Sequence, residues 1–341
     1  MTNRRGSGRP VRRRFALAHA VAVTYAAFTL VSLGAWVLVG DAWWTQPVNL
    51  TTFWWTVPAV LLAPAAWLLR WPVVAALLAI PALTWVWSYG TAFVPVGDVE
   101  VPAADTVRVV SFNTFVGAPD HQHVLDLVAE HDPDVLVLQE VFPDREAALR
   151  EALAGSHPTQ VVVQSEGVGG VAVFSRFPLL GETRVGDAST NSRSTEVVTL
   201  DALGTPLQVV PVHLISPCPT CGRSIVERLE FEGEVRRAEM GAVLDALDPD
   251  LPAIVAGDLN STERSEPYRT LASAGFADPQ RAAGAGMGFT WPNEGRLGPV
   301  IRIDWVLSRG LVPVAAWVGD GGASDHRPVV VDLALARQDG G

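Results

Sequence analysis

The sequence predicts an α/β protein in which two packed sheets are flanked by helices, preceded by a membrane segment. Three observations carry that expectation. From Val107 onward, ten short β-branched runs alternate with only four amphipathic segments, too few helices for a single parallel sheet. Residues 15–89 are apolar and nearly uncharged, and they raise the mean hydropathy of the whole chain to +0.25. Charge is also divided: residues 1–100 hold 7 of the 25 basic and 3 of the 36 acidic residues. Residues 101–341 therefore set 18 arginines against 33 carboxylates. That balance disfavours stable binding of duplex nucleic acid, whose phosphate backbone is gripped mainly through Lys and Arg. Every basic residue is Arg, which reads as composition bias.

The chain opens on a basic arm, MTNRRGSGRPVRRR, residues 1–14. Phe15–Gly40 follows, 26 residues without a charge and long enough to span a bilayer. Two further apolar stretches, Leu50–Leu69 and Trp71–Trp87, flank the turn at Arg70-Trp71-Pro72. Nine of the 12 tryptophans lie in residues 36–87, most near the ends of these stretches, where an interfacial belt belongs. Arg12-Arg13-Arg14-Phe15 also resembles the start of a twin-arginine export signal. The apolar region is too long for an ordinary signal, lacks an obvious cleavage site and is followed by two more spans. Three transmembrane helices over residues 15–89 are expected. The arm and Arg70 then face the cytoplasm, and three crossings carry the rest outside the cell membrane.

Residues 90–105 are punctuated by Pro and Gly and read as a linker; a domain over 106–335 and a tail at 336–341 follow. Strands are expected at 107–112, 135–139, 160–163, 171–175, 195–200, 207–213, 253–256, 303–307, 313–318 and 328–333. Helices are expected at 121–131, 145–154, 223–247 and 266–274. Strand ends repeatedly deliver polar, metal-compatible side chains. Asn113 closes VRVVSFN, Glu140 closes DVLVLQE and His213 closes VVPVH. IVAGDLN turns at Gly257 and presents Asp258 and Asn260, two residues apart and so on one face if the strand continues. Asp304 opens a strand in IRIDW, and Asp325 and His326 precede the last strand in SDHRP. One such residue would be an ordinary cap; six sites in order are not.

Taken together, SFNTF, LQEV, GGVAVFSRFPL, VPVHL, AGDLNST, RIDWVLS and SDHRPV resemble the endonuclease/exonuclease/phosphatase superfamily, over about residues 105–335. This is the fold of pancreatic-type deoxyribonuclease, neutral sphingomyelinase and inositol-polyphosphate phosphatases. The resemblance implies a four-layer α/β/β/α sandwich, in keeping with two packed sheets. It implies a metal-dependent hydrolase of phosphoric esters, with Glu140 the principal Mg²⁺ ligand, Asn113 beside it, Asp325 completing the environment and Mn²⁺ an alternative ion. Asp258 would orient or deprotonate water and Asn260 would hold it in line. His326, oriented by Asp304, and His213 would donate to phosphoryl oxygens and the leaving group.

One departure stands out. Nucleases of the family often carry a carboxylate two residues after the first Asn, and Phe115 occupies that place here. A single metal and a substrate other than repair-type DNA are therefore favoured: an extracytoplasmic phosphodiester, or a phosphate or pyrophosphate ester, with a lipid-linked one attractive for a tethered enzyme. A secreted-face nuclease and a catalytically silent binding module are the rivals.

Other polar residues have plainer readings. Arg176 in FSRFP is assigned a loop-holding role. His19 is read as a helix-packing residue, and His121, His123 and His131 as solvated surface. GAGMG at 284–288 is read as a flexible loop, and Thr290-Trp291 as neighbours of the site mouth. Cys218-Pro-Thr-Cys221 is too sparse for a structural zinc site. Outside the membrane that pair would form a local disulfide beside His213.

Overall fold

Alternation along the strands sorts side chains onto two faces, and in the computed structural model those faces become two different cores. The structure describes residues 9–42, 44–94, 106–165, 167, 169–186, 195–216 and 233–335. Cys218, Cys221, the tail, most of the linker and the first ten residues of the helix expected at 223–247 lie outside them. The chain forms two compact units, Met1–Thr91 and Ala92–Gly341.

The first unit holds α1 (Arg9–Leu38), α2 (Gln46–Leu50), α3 (Thr52–Leu68) and α4 (Pro72–Tyr89). Its interior is lined by small residues, Ala22, Ala66 and Ala75 with Val74 and Leu78. Leu61, Trp67, Leu68, Leu83 and Trp87 are exposed. Small residues inside and large apolar ones outside is the packing used by helices whose surroundings are themselves apolar.

Among the described residues two helices, Phe15–Leu38 and Pro72–Phe93, are long and apolar enough to cross a membrane, not the three expected. The middle stretch yields a helix of 17 residues with Pro58 and Pro64 inside it. At 1.5 Å per residue that is roughly 25 Å, short of a hydrocarbon core of about 30 Å. Helix α1 also starts at Arg9, inside the segment read as the basic arm.

In the second unit, β1 (Thr106–Asn113), β2 (Val135–Val141), β3 (Thr159–Val163), β4 (Gly170–Ser175), β10 (Leu311–Val318) and β11 (Val329–Leu335) form one sheet. Its order is β10-β11-β1-β2-β4-β3. The other sheet runs β5-β6-β7-β8-β9, from β5 (Leu179–Val185), β6 (Thr195–Ala202), β7 (Thr205–His213), β8 (Ala253–Asp258) and β9 (Asp304–Arg309). Val107, Val109, Val135, Val137, Leu207, Val209, Ile254, Ala256 and Val306 meet in one core between the sheets.

The outward faces are covered by helices. Leu136, Leu138 and Phe112 pack under α5 (Gln122–His131) and α6 (Pro143–Leu153). Val210, Val212 and Trp305 pack with Met240 and Leu271 of α7 (Gly233–Ala246) and α8 (Glu266–Ser273). The expected layering of helix, sheet, sheet and helix follows.

Two elements of the second unit were not expected. Strand β5 buries only Val185, so it has no apolar alternation to read. The five-residue α9 (Pro279–Ala283) is set by its cap: Asp278 accepts from the Gln280 main-chain N–H at 3.1 Å. Two histidines read as solvated surface are not. His131 is buried beside Trp317, and His123 donates from Nε2 to the Thr114 carbonyl at 3.1 Å.

Candidate active site

The inner face of each central strand changes character at one end of the sandwich. Along β1 it reads Val107, Val109, Ser111, Asn113; along β7, Leu207, Val209, Pro211, His213; along β8, Ile254, Ala256, Asp258. On β9, which runs antiparallel to β8, Val306 is preceded by Asp304. The register places His213 beside Asp258 and Asp258 beside Asp304. A period of two thus carries apolar side chains through the core and delivers polar ones at its end.

Glu140 breaks that parity. Counting from Leu136 and Leu138 it should face outward, but the β2–β4 register shifts between Leu138 and Val141 and Glu140 takes φ 58°. The bulge turns its carboxylate inward, where Oε1 accepts from Asn113 Nδ2 at 3.1 Å and Oε2 from the Val116 N–H at 2.7 Å. Thr114 Oγ1 lies within 3.0 and 3.1 Å of the Gln139 and Glu140 carbonyls and fixes the strained residue from below. Gly169 fixes it from above, where a Cβ would stand 2.8 Å from the Glu140 carbonyl carbon.

Asn260 also arrives by a route that the spacing did not foretell. Strand β8 ends at Asp258, and Asn260 sits at φ 48° in the left-handed region. Its main-chain N–H donates to Asp258 Oδ1 at 2.7 Å and its Nδ2 to Oδ2 at 3.1 Å. A turn closed on the Asp258 carboxylate, not a continued strand, puts the two together.

Asp258 Oδ2 is the hub. It lies 3.2 Å from Asn113 Nδ2, 3.7 Å from His213 Nε2 and 4.0 Å from His326 Nε2. His213 Nε2 is also 3.9 Å from Glu140 Oε1, and His326 Nε2 is 3.9 Å from Asp325 Oδ1. His326 Nδ1 is bonded to Asp304 at 2.9 Å. All eight residues singled out from the sequence belong to this one cluster. Arg176 does not; it pairs with Asp132 and Asp134, as a loop-holding role requires.

Burial sets the electrostatics. It pushes Asp258 up to about 7, a rise increased by the negative charge of Asp304. For His326 burial alone would lower the value, but the charge and hydrogen bond of Asp304, with Asp258 and Asp325, raise it to about 10. At neutral pH His326 is a cation, and its Nδ1–H is committed to Asp304.

Asp258, Asp304 and His326 each present an atom within 4.8 Å of one another, a spacing that could hold a metal ion. A protonated imidazole is not a ligand, however, so this trio is better suited to moving and holding protons. Hard oxygen donors are also in the cluster: the Glu140 carboxylate beside the Asn113 amide, and Asp325 beside His326. Among the described residues Asp325 Oδ1 is buried with no hydrogen-bond partner, and the His326 imidazole lies 3.9 Å away, which leaves this oxygen available to a cation. That donor set fits an ion such as Mg²⁺.

Several supporting residues carried weaker signals in the sequence. Ser324 Oγ donates to the Asn113 carbonyl at 2.7 Å and accepts from the His326 N–H at 3.0 Å, tying the last motif to the first strand. Thr290 Oγ1 accepts from the main-chain N–H groups of Ile303 and Asp304 at 3.2 and 3.3 Å. Trp291 Nε1 donates to Asp325 Oδ2 at 3.3 Å. Ser324 lies inside a recognised motif, and Thr290-Trp291 was placed at the mouth without a role.

Comparison with known proteins agrees with this arrangement. The sequence matches the Endonuclease/Exonuclease/phosphatase family over residues 110–326. Among solved structures it is similar to the endonuclease/exonuclease/phosphatase from Beutenbergia cavernae, at 26% identity and TM-score 0.53, over 68% of this chain and 72% of that one. A humanized D. rerio TDP2 is similar at 18% identity and TM-score 0.54, over 68% and 100% of the two chains. The human Nocturnin catalytic domain with bound sulfate anion is similar at 18% identity and TM-score 0.52, over 70% and 97%. No curated protein matches the chain. With the family's match spanning the whole cluster from β1 to His326, the chain belongs to the Endonuclease/Exonuclease/phosphatase family, and it is a metal-dependent hydrolase acting on phosphoric ester bonds.

Proposed function

We propose that this chain is a membrane-tethered, Mg²⁺-dependent phosphoesterase that cleaves a phosphodiester, or a phosphate or pyrophosphate ester, with a lipid-linked substrate favoured. One observation carries the chemistry: a buried carboxylate, Asp258, faces two imidazoles, one of them held as a cation, in a cluster that also holds the Glu140 and Asp325 carboxylates.

Glu140, Asn113 and Asp325 would hold the Mg²⁺, which supplies charge stabilisation at the phosphoryl oxygens. Asp258, raised to about 7 and fixed by two Asn260 donors, orients a water and accepts its proton. His326 donates from Nε2 to the phosphoryl group while Asp304 holds Nδ1. His213 offers a second Nε2, 3.7 Å from Asp258 Oδ2. Donors fixed before the charge develops are what stabilise such a transition state.

Membrane tethering is supported by the two apolar helices and by the small-inside packing of the first unit. Phe115 in place of a second carboxylate, and the acidic balance of residues 101–341, weigh against a dedicated repair nuclease. The assembled proton-handling set weighs against a silent binding module. An extracytoplasmic placement requires an odd number of crossings. A reporter fused behind residue 335 and active only outside would establish it; one active only in the cytoplasm would establish two.

The testing experiment offers detergent-solubilised full-length protein with Mg²⁺ duplex DNA, sphingomyelin, an inositol phosphate and polyprenyl pyrophosphate. Turnover of a lipid substrate in preference to DNA supports the reading. Efficient DNA degradation alone replaces it with the nuclease, and no turnover of any phosphate ester refutes it.

A further inference from the structure

The turn that carries Asp258 and Asn260 is supported from a helix that contributes none of the recognised motifs. Arg236 on α7 is 1% exposed, although Arg is rarely buried so completely. Its Nη2 donates to the Leu259 carbonyl at 2.7 Å and to the Asn260 carbonyl at 3.2 Å. These are the main-chain acceptors immediately after Asp258, in the one part of β8's exit that leaves strand geometry. Asn260 stands there at φ 48°, in the left-handed region that Asn enters more readily than most residues with a Cβ but that is still uncommon outside glycine.

We infer that Arg236 is a positioning residue: by gathering the Leu259 and Asn260 carbonyls on one guanidinium, it holds Asn260 in the left-handed conformation from which both of its donors reach Asp258. Other contacts restrain the turn, but from different atoms. Trp305 Nε1 donates to the Ser261 carbonyl at 2.8 Å, and Ser261 Oγ to Leu259 O at 2.8 Å. Asn260 Nδ2 also reaches the Leu214 carbonyl at 2.9 Å. Only Arg236, among the described residues, is seen to bond the Asn260 carbonyl. Rotating the Leu259–Asn260 peptide, whose oxygen Arg236 also binds, would turn the Asn260 N–H off Asp258 Oδ1 and take Asn260 out of the left-handed region that aims its Nδ2 at Oδ2. Arg236 has no place among the atoms that would meet substrate, so its effect must appear through Asn260.

The inference rests on the phosphoesterase reading, and its test separates the two. Full-length Arg236→Lys, Asn260→Ala and the double variant are compared with the parent on bis(p-nitrophenyl) phosphate with Mg²⁺. Backbone amide exchange across residues 257–262 is followed by mass spectrometry without substrate. Arg236→Lys keeps the charge and guards against a variant that fails to fold; a second, Arg236→Gln, keeps a donor without the charge. Expected are a roughly tenfold fall in kcat with KM within about twofold, and faster exchange confined to that segment. Asn260→Ala should mask the effect, so that the double variant is no slower than Asn260→Ala alone. Losses that multiply in the double variant, a rise in KM matching the fall in kcat, or unchanged exchange would overturn the assignment. If the parent does not cleave the diester, the phosphoesterase reading loses support, and the exchange measurement still decides the role of Arg236.

Discussion

Asp258 and His326 face each other across 4.0 Å, from Oδ2 to Nε2, with their proton affinities displaced in opposite functional senses. The carboxylate is raised to about 7, so it becomes an acceptor only near neutrality; the imidazole is raised to about 10, so it stays a donor well above it. Activity should therefore rise as pH passes through about 7 and fall as it approaches 10, a bell measured as kcat/KM. Binding a cation at Glu140 favours ionised Asp258, so raising Mg²⁺ should move the acid limb to lower pH.

His326 also links pH to stability. Its folded affinity exceeds the ordinary value of 6.5, so its contribution is fully present below that pH and is lost as pH rises through about 10. Asp304→Asn should move the alkaline limb downward and flatten this loss of melting temperature. An unchanged alkaline limb would show that Asp304 does not control the imidazole.

Metal dependence should localise to Glu140. Chelation should abolish turnover, and saturating Mg²⁺ should raise the melting temperature, since a ligand at 100 times its Kd stabilises by about 2.7 kcal/mol. Glu140→Ala should lose that thermal shift and lower kcat by at least ~10²-fold, the scale of losing an electrostatic stabiliser. A Glu140→Ala protein that still shifted with Mg²⁺ would move the metal elsewhere in the cluster.

The site was legible because the strands are regular. Asn113, His213, Asp258 and Asp304 follow from a period of two that continues an apolar stripe to its polar end. Glu140 and Asn260 were named from the same motifs and fall in the cluster, but alternation could not have aimed them. A bulge at the end of β2 and a left-handed turn after β8 do so, and both are backbone events set by neighbours such as Thr114 and Gly169. Strand β5 escaped notice because its side chains are mostly exposed and polar order replaces apolar alternation. The membrane segment was over-read: hydropathy alone does not register that Pro58 and Pro64 fall within a helix of 17 residues.

Gly257 on β8 pairs with Val212 of β7 and leaves no room for a side chain between them. It takes φ 147°, and a Cβ there would stand 1.8 Å from the Val212 carbonyl oxygen. Gly257→Ala should part β7 from β8 and cost more than ~4 kcal/mol, the range reserved for a named steric failure. Gly181, with open space around its Cβ position, is the control. Its alanine variant should stay within about 0.5 kcal/mol, as surface substitutions usually do. Thermal unfolding of the two proteins checks the contrast, and equal melting temperatures would refute it.

The last prediction concerns a buried ion pair just upstream of Asp304. Arg302 and Asp278 are 4% and 8% exposed and joined by two bonds of 2.8 Å, with the guanidinium 3.9 Å over the Trp305 ring. Asp278 also caps α9, so it neutralises a charge and starts a helix at once. Asp278→Ala leaves the guanidinium buried without its carboxylate and should destabilise the protein by roughly 3–5 kcal/mol. Asp278→Asn keeps the cap but not the charge, and Arg302→Met removes the charge that needs a partner. The pair Asp278→Asn with Arg302→Met should therefore recover most of the loss, because a neutral, well-filled site is often as stable as a buried ion pair. Chemical denaturation of the single and double variants measures the coupling. If Asp278→Ala stayed within about 1 kcal/mol of the parent, the guanidinium would have found water or another partner, and the burial argument would fail.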